Sequence, residues 1–146
     1  WVRDTQAPAA PSGWTLSSPI NGSTSSDGTP LITIPGNASE VGSIAKVYSD
    51  INCTAQLGSP AQIQAEDRTI SDISFASDGS ADGVKSFYGK ITDQAGNTTS
   101  CADLSRSYTL DTTVPSVSSI VTRASVTGVL SSLRFTVIFK SVASCA

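Results

Sequence analysis

The chain contains neither histidine nor methionine among its 146 residues. Without histidine, the usual catalytic triads are excluded, and no cysteine–histidine spacing typical of zinc sites is present. Charged residues make up only 14% of the chain, against roughly 25% in an average soluble domain. The few basic residues form no cluster that could neutralise phosphates or bind an anionic membrane. We therefore expect no enzyme of these common classes, no nucleic-acid binding and no membrane insertion.

Long hydrophobic runs are absent as well, since no apolar stretch approaches the roughly 20 residues of a membrane-spanning helix. The first residues, Trp1 to Asp4, do not resemble a signal peptide, so any export signal would lie outside this sequence. Serine and threonine are abundant, and three cysteines are present. This composition predicts an extracellular or cell-surface protein. Asn-X-Ser/Thr triplets, which in such a serine- and threonine-rich chain also arise by chance, begin at Asn21, Asn37, Asn52 and Asn97.

One short phrase occurs twice. Asp4-Thr5-Gln6-Ala7-Pro8 is followed 107 positions later by Asp111-Thr112-Thr113-Val114-Pro115. A recurrence at this spacing predicts the boundary between tandem domains. On this basis residues 1–11 are the end of a preceding repeat or a linker, and residues 12–111 are one complete module. Residues 112–146 are then a linker and the incomplete start of the next repeat.

The remaining pattern predicts an all-β fold. Short runs of β-branched and aromatic residues alternate with turn clusters, and no segment shows helical periodicity. We expect a β-sandwich of about seven antiparallel strands, at 14–17, 31–34, 43–49, 54–57, 69–75, 84–92 and 106–110. Alternation within these strands predicts a core of Trp14, Val47, Phe75, Phe87, Ile91, Tyr108 and Leu110. In the same pattern Gly89 faces inward, where it would let Trp14 pack on the backbone.

Two further strands, at 118–121 and 133–142, would be the first two of the following repeat. The second is the most hydrophobic segment of the chain, and its own sandwich is missing. An exposed edge of this kind can complete the sheet of a neighbouring molecule by β-strand addition. The candidate residues for such addition, in a filament built from copies of the chain, are Leu133, Phe135, Val137 and Phe139.

Two segments resemble the bacterial Ig-like repeats of large secreted and cell-surface proteins. The first is Thr92-Asp93-Gln94-Ala95-Gly96-Asn97, and the second is the run from Tyr108 to Pro115. The resemblance covers residues 4–115, although Lys85 and Gly89 depart from the usual aromatic residue and alanine. It implies an Ig-like sandwich that acts as a non-enzymatic structural spacer or adhesive stalk, in contact with neighbouring repeats or copies of the same chain.

The resemblance also implies a disulfide bridge between Cys53 and Cys101, with Cys145 left free. Strand geometry opposes it, because the two loops that carry these cysteines normally lie at opposite ends of an Ig-like sandwich. The loop from Asn97 to Ser105 is nevertheless long enough to run back along the sheet, so both outcomes stay open at this stage.

A calcium site at the boundary between repeats is another implication of the resemblance, with Asp4, Asp93 and Asp111 as its candidates. The alternative, which we favour, is that Asp93 and Asp111 cap their own turns by hydrogen bonds to nearby amides. We therefore predict no cofactor.

Two other groups could carry a function. A carboxylate pair for glycoside hydrolysis is conceivable among Glu40, Glu66, Asp67 and Asp72, although solvated loop charges are the expected role. A module that binds a surface glycan or protein in its own right could use a platform of Trp1, Trp14, Tyr48 and Tyr88. Exposure of these rings would favour the binding module, whereas their burial would favour the spacer.

Overall fold

The computed structural model describes residues 3–116, of which residues 3–115 belong to one compact unit, Trp1–Pro115. All regular structure within the described residues is β-strand. The strands, in chain order, are β1 (Thr15–Ser18), β2 (Thr24–Ser25), β3 (Leu31–Ile34), β4 (Ile44–Tyr48), β5 (Gln56–Gln62), β6 (Arg68–Ile70), β7 (Gly83–Thr92) and β8 (Ala102–Leu110). The strands predicted at 118–121 and 133–142 lie outside the described residues.

The strands form two sheets. One has the order β1-β3-β6, and the other has the order β2-β8-β7-β4-β5. All neighbouring strands are antiparallel except β2 and β8, which are parallel. Buried side chains from both sheets make one continuous core, so the all-β prediction is confirmed and the arrangement is consistent with a β-sandwich. The described strands number eight rather than seven, and one of their pairings is parallel.

The predicted core is largely confirmed. Phe87, Tyr108 and Leu110 are almost completely buried, and the Phe87 and Tyr108 rings stack with centroids 6.3 Å apart. Gly89 also faces inward, where a Cβ would lie 3.2 Å from the Trp14 ring. A side chain at this position would require the Trp14 and Leu104 side chains to shift by a few tenths of an ångström, so glycine favours this close packing on the strand backbone.

Phe75 is an exception, because it is only half-buried and lies outside any strand. The predicted strand 69–75 was too long, since β6 ends at Ile70. Beyond that point the Phe75 amide donates to the carbonyl oxygen of Gly28 at 2.8 Å. The segment is thus tied to a loop, while Ile73 still reaches the core.

The prediction was also wrong about two strand boundaries, and it missed one strand. β5 continues through Gly58-Ser59-Pro60, where an end was expected, because an edge strand tolerates proline and glycine. β8 begins at Ala102 rather than at residue 106. β2 lies between the strands predicted at 14–17 and 31–34, where no strand was expected.

Candidate functional site

The chain enters and leaves the sandwich at opposite ends. At one end, which we call the exit end, the first residue of β7, Gly83, pairs with Leu110, the last residue of β8. At the other, the entry end, β7 finishes at Thr92, and the N-terminal segment lies nearby with Glu40 and Asp93. The ten residues of β7 separate these two ends by roughly 30 Å.

At the exit end the Asp82 carboxylate holds the segment that follows β8. One carboxylate oxygen accepts the Thr112 amide at 2.9 Å and the Thr112 hydroxyl at 2.7 Å. The other oxygen accepts the Thr113 hydroxyl at 2.7 Å. The Gly79 amide completes the cluster by donating to the Thr112 hydroxyl oxygen at 2.9 Å. We call these four residues the Asp82 latch.

The hydrogen bonds of the latch lower the pKa of Asp82. The Thr113 hydroxyl, followed by the hydroxyl and amide of Thr112, lowers the pKa of Asp82 to about 2. Donors that bind the charged form of a carboxylate favour that form. Asp82 therefore stays ionised to a lower pH than an ordinary aspartate, and the latch is a local tether outside the hydrophobic core.

The entry end holds its segment less tightly. Asp4 and residues 6–9 line an open groove of about 650 Å³ together with Glu40 and Asp93. The Asn97 side-chain amide donates to the Asp4 carbonyl oxygen at 3.4 Å, and the Ala9 amide donates to the Glu40 carboxylate at 3.5 Å. Both distances are at the long limit for a hydrogen bond.

All three calcium candidates accept a local hydrogen bond of the kind that the turn-capping alternative, stated for Asp93 and Asp111, requires. The Asp93 carboxylate accepts both the backbone and side-chain amides of Asn97 at 2.8 Å, and the Asn97 side chain is the main cause that lowers the pKa of Asp93. Asp111 accepts the Thr113 amide at 3.2 Å. Both aspartates therefore cap the turns that follow them.

The three candidates do not come together within one module. Asp4 and Asp93 line the entry groove, whereas Asp111 follows β8 at the exit end. Calcium requires several oxygen ligands around one point. Within residues 3–116, no three side chains of His, Cys, Asp or Glu are grouped closely enough to hold a metal ion.

The disulfide bridge between Cys53 and Cys101 is present, with the two Cα atoms 5.7 Å apart. The loop after β7 turns at Asp93, and Thr98 then pairs with Thr92 as the chain runs back along the strand. This return brings Ala102 level with Gly89, close to where β4 ends. The geometric objection to the bridge therefore does not apply here.

An aspartate that the sequence reasoning did not single out supports the Cys53 side of the bridge. The Asp50 carboxylate accepts the amides of Asn52, Thr54 and Ala55 at 2.7 to 3.2 Å. The Ala55 amide is the largest cause that lowers the pKa of Asp50. These bonds close a tight loop in which Cys53 has a φ of 51°. The signal in the sequence was an aspartate followed by Asn and Thr, which favours such turns.

The other candidate carboxylates mostly bind backbone amides. Asp67 accepts the Gly36 amide at 2.9 Å, and Asp72 accepts the Ser59 amide at 2.8 Å. Glu40 accepts the Ser43 hydroxyl at 3.2 Å, and Glu66 is exposed. Asp67 and Glu40 therefore cap loops, and Asp72 caps the edge strand β5.

The aromatic candidates do not form an exposed platform within the described residues. Trp14 is 3% exposed and Tyr48 is 8% exposed, while Tyr88 is partly buried. Trp1 lies outside the described residues, as do Cys145 and the strand-addition candidates Leu133, Phe135, Val137 and Phe139.

Comparisons with known proteins return no match among family models, curated proteins or solved structures. In the described part of the chain, no helix is long and apolar enough to cross a membrane.

Proposed function

We propose that the chain is a non-enzymatic Ig-like repeat module of a bacterial surface or secreted protein, and that it acts as a structural spacer. The resemblance of its two phrases supports this, and so does the strand order. β1-β3-β6 and β8-β7-β4 correspond to the A-B-E and G-F-C neighbours of an Ig sandwich. The disulfide bridge is compatible with an extracellular location.

The observation that carries the proposal is the position of the two chain ends. The segment before β1 lies at the entry end, and the segment after β8 is held at the exit end by the Asp82 latch. A module traversed in this way adds its full length of roughly 30 Å to a tandem array. The burial of Trp14 and Tyr48 further favours a spacer over a stacking platform.

The parallel pairing of β2 and β8 suits a spacer that carries load. Tension applied at the two chain ends pulls β2 toward the entry end and β8 toward the exit end, so it loads their hydrogen bonds in shear. All of these bonds must stretch together before the strands can slide. The backbone bonds of this ladder measure 2.7 to 2.9 Å and join Gly22 to Ser107, Thr109 to Ser23, and Asp111 to Ser25.

Single-molecule force measurements on the full chain test the proposal. In one geometry the attachment points are residues 3 and 115, which load β2 against β8 in shear. In the control geometry they are residues 78 and 115, both at the exit end, so that the force peels the end of β8 from its neighbouring strands one bond at a time. We expect a several-fold higher unfolding force in the first geometry, since forced unfolding reports the barrier along the pulling direction. Equal forces in the two geometries would contradict a load-bearing spacer.

A further inference from the structure

The two copies of the repeated phrase adopt the same local hydrogen bond. At the entry end the Asp4 carboxylate accepts the amide of Gln6, two residues later, at 3.0 Å. At the exit end the Asp111 carboxylate accepts the amide of Thr113, again two residues later, at 3.2 Å. The recurrence in sequence is therefore also a recurrence in backbone geometry, although the surroundings of the two phrases differ.

Each end holds the phrase through different atoms. The exit end binds the amide and hydroxyl of Thr112 and the hydroxyl of Thr113. The entry end binds the carbonyl oxygen of Asp4 and the amide of Ala9. When Asp4 is aligned with Asp111, no atom of the phrase makes one of these hydrogen bonds at both ends. A single phrase could therefore be bound on one side by an exit end and on the other by an entry end.

We infer that the entry end is a docking surface whose partner is the exit end of a second copy of this module placed before it in the chain. This rests on the proposed function as a tandem repeat. The two surfaces meet on the shared phrase, with Asp82 from the preceding copy on one side and Glu40 and Asn97 on the other. The linker between copies is then a bound segment with a fixed direction rather than a free hinge.

The state of Thr5 supports this partner. Thr5 occupies the position of Thr112 in the phrase, yet it is exposed, whereas Thr112 is held by Asp82 through its amide and hydroxyl. A preceding copy would supply the missing carboxylate. The next position is Gln6 in place of Thr113, so the docked phrase would make two of the three bonds that Asp82 makes at the exit end.

A two-copy chain tests the inference, with residues 1–110 joined directly in front of residues 4–146. Amide hydrogen exchange at the junction Thr5 is compared with exchange at Thr5 in the single chain. We expect exchange roughly tenfold slower in the two-copy chain, because the amide becomes hydrogen-bonded. Asp82→Asn in the first copy should restore the fast rate. Asp78→Asn in the first copy is the matched control and should leave the slow rate unchanged.

Equal exchange at Thr5 in the single and two-copy chains would overturn the inference. So would faster exchange at the junction Ala9 than at Ala9 of the single chain, because docking requires the entry end to keep the Ala9–Glu40 bond while Asp82 of the preceding copy binds Thr5. Thr112 of the second copy, which keeps its own Asp82, serves as the internal reference for a latched amide. The force experiment uses the single chain, so a failed spacer function and a failed docking surface remain distinguishable.

Discussion

The two ends of this module hold the same phrase with different strength. At the exit end Asp82 binds Thr112 and Thr113 at 2.7 to 2.9 Å. At the entry end the bonds to residues 4–9 measure 3.4 and 3.5 Å and border an open groove. The difference shows that the module orders the segment that follows it by itself, whereas it holds the preceding segment only loosely.

The largest change is expected from Phe87→Ala, which removes a fully buried ring from the core that both ends share. Loss of an aromatic side chain from a packed core costs roughly 3–5 kcal/mol. Chemical denaturation should show this loss in the free energy of unfolding. Both ends should unfold in the same transition, because they share this core. Val84→Ala, on the same strand but 70% exposed, is the control and should change stability little. A comparable loss in both variants would contradict the assigned core.

Removal of the disulfide bridge should have the next largest effect. Replacing Cys53 and Cys101 by alanine opens a loop with a sequence separation of 48, and chain entropy alone predicts a loss of ~4 kcal/mol. The bridge lies level with the middle of β7, so the loss should reach both ends alike. Reduction of the wild-type chain is the matched comparison and should lower the denaturation midpoint similarly. If stability is unchanged, the bridge does not constrain the unfolded chain.

Asp82→Asn should produce the smallest and most local change, confined to the exit end. The pKa of Asp82 is depressed to about 2 from an ordinary value of 3.8. Its stabilisation is therefore complete above the ordinary value and is lost as the pH falls through the depressed one. We expect the Thr112 amide resonance of the wild-type chain to titrate with a midpoint near pH 2, and that titration should be absent from the variant.

Asp78→Asn is the control for this titration and should keep the Thr112 midpoint, because Asp78 binds Ser80 rather than the latch. A wild-type midpoint near the ordinary aspartate value would show that the latch is not formed in solution.

The strands best predicted from sequence are those buried on one face. β3 was predicted at its observed bounds, and β7 within one residue, because alternation with a buried face fixes both extent and orientation. β2 escaped prediction because Thr24 and Ser25 carry no apolar pattern, and their pairing depends on β8 far along the chain. β5 was only partly predicted, because turn residues are tolerated in a strand at the edge of a sheet.

The functional ends were harder to predict for a related reason. The aspartates of the repeated phrases were visible in the sequence, and the turn-capping role of Asp111 followed from the residues after it. Asp82 lies between the strands predicted at 69–75 and 84–92, but its partners lie 30 and 31 residues away. They meet it only because β7 pairs with β8 in a register that places Gly83 opposite Leu110. Contacts that depend on register cannot be derived from local pattern.

The disulfide bridge has a consequence for how the molecule responds to proteolysis. It encloses β5, β6 and β7, together with the exposed loop residues at 76–78, in a covalently closed ring. A protease that cuts once between Cys53 and Cys101 opens that ring but separates nothing, because the backbone on either side remains joined through the two sulfur atoms. A chain closed in this way keeps its two ends joined after such a cut.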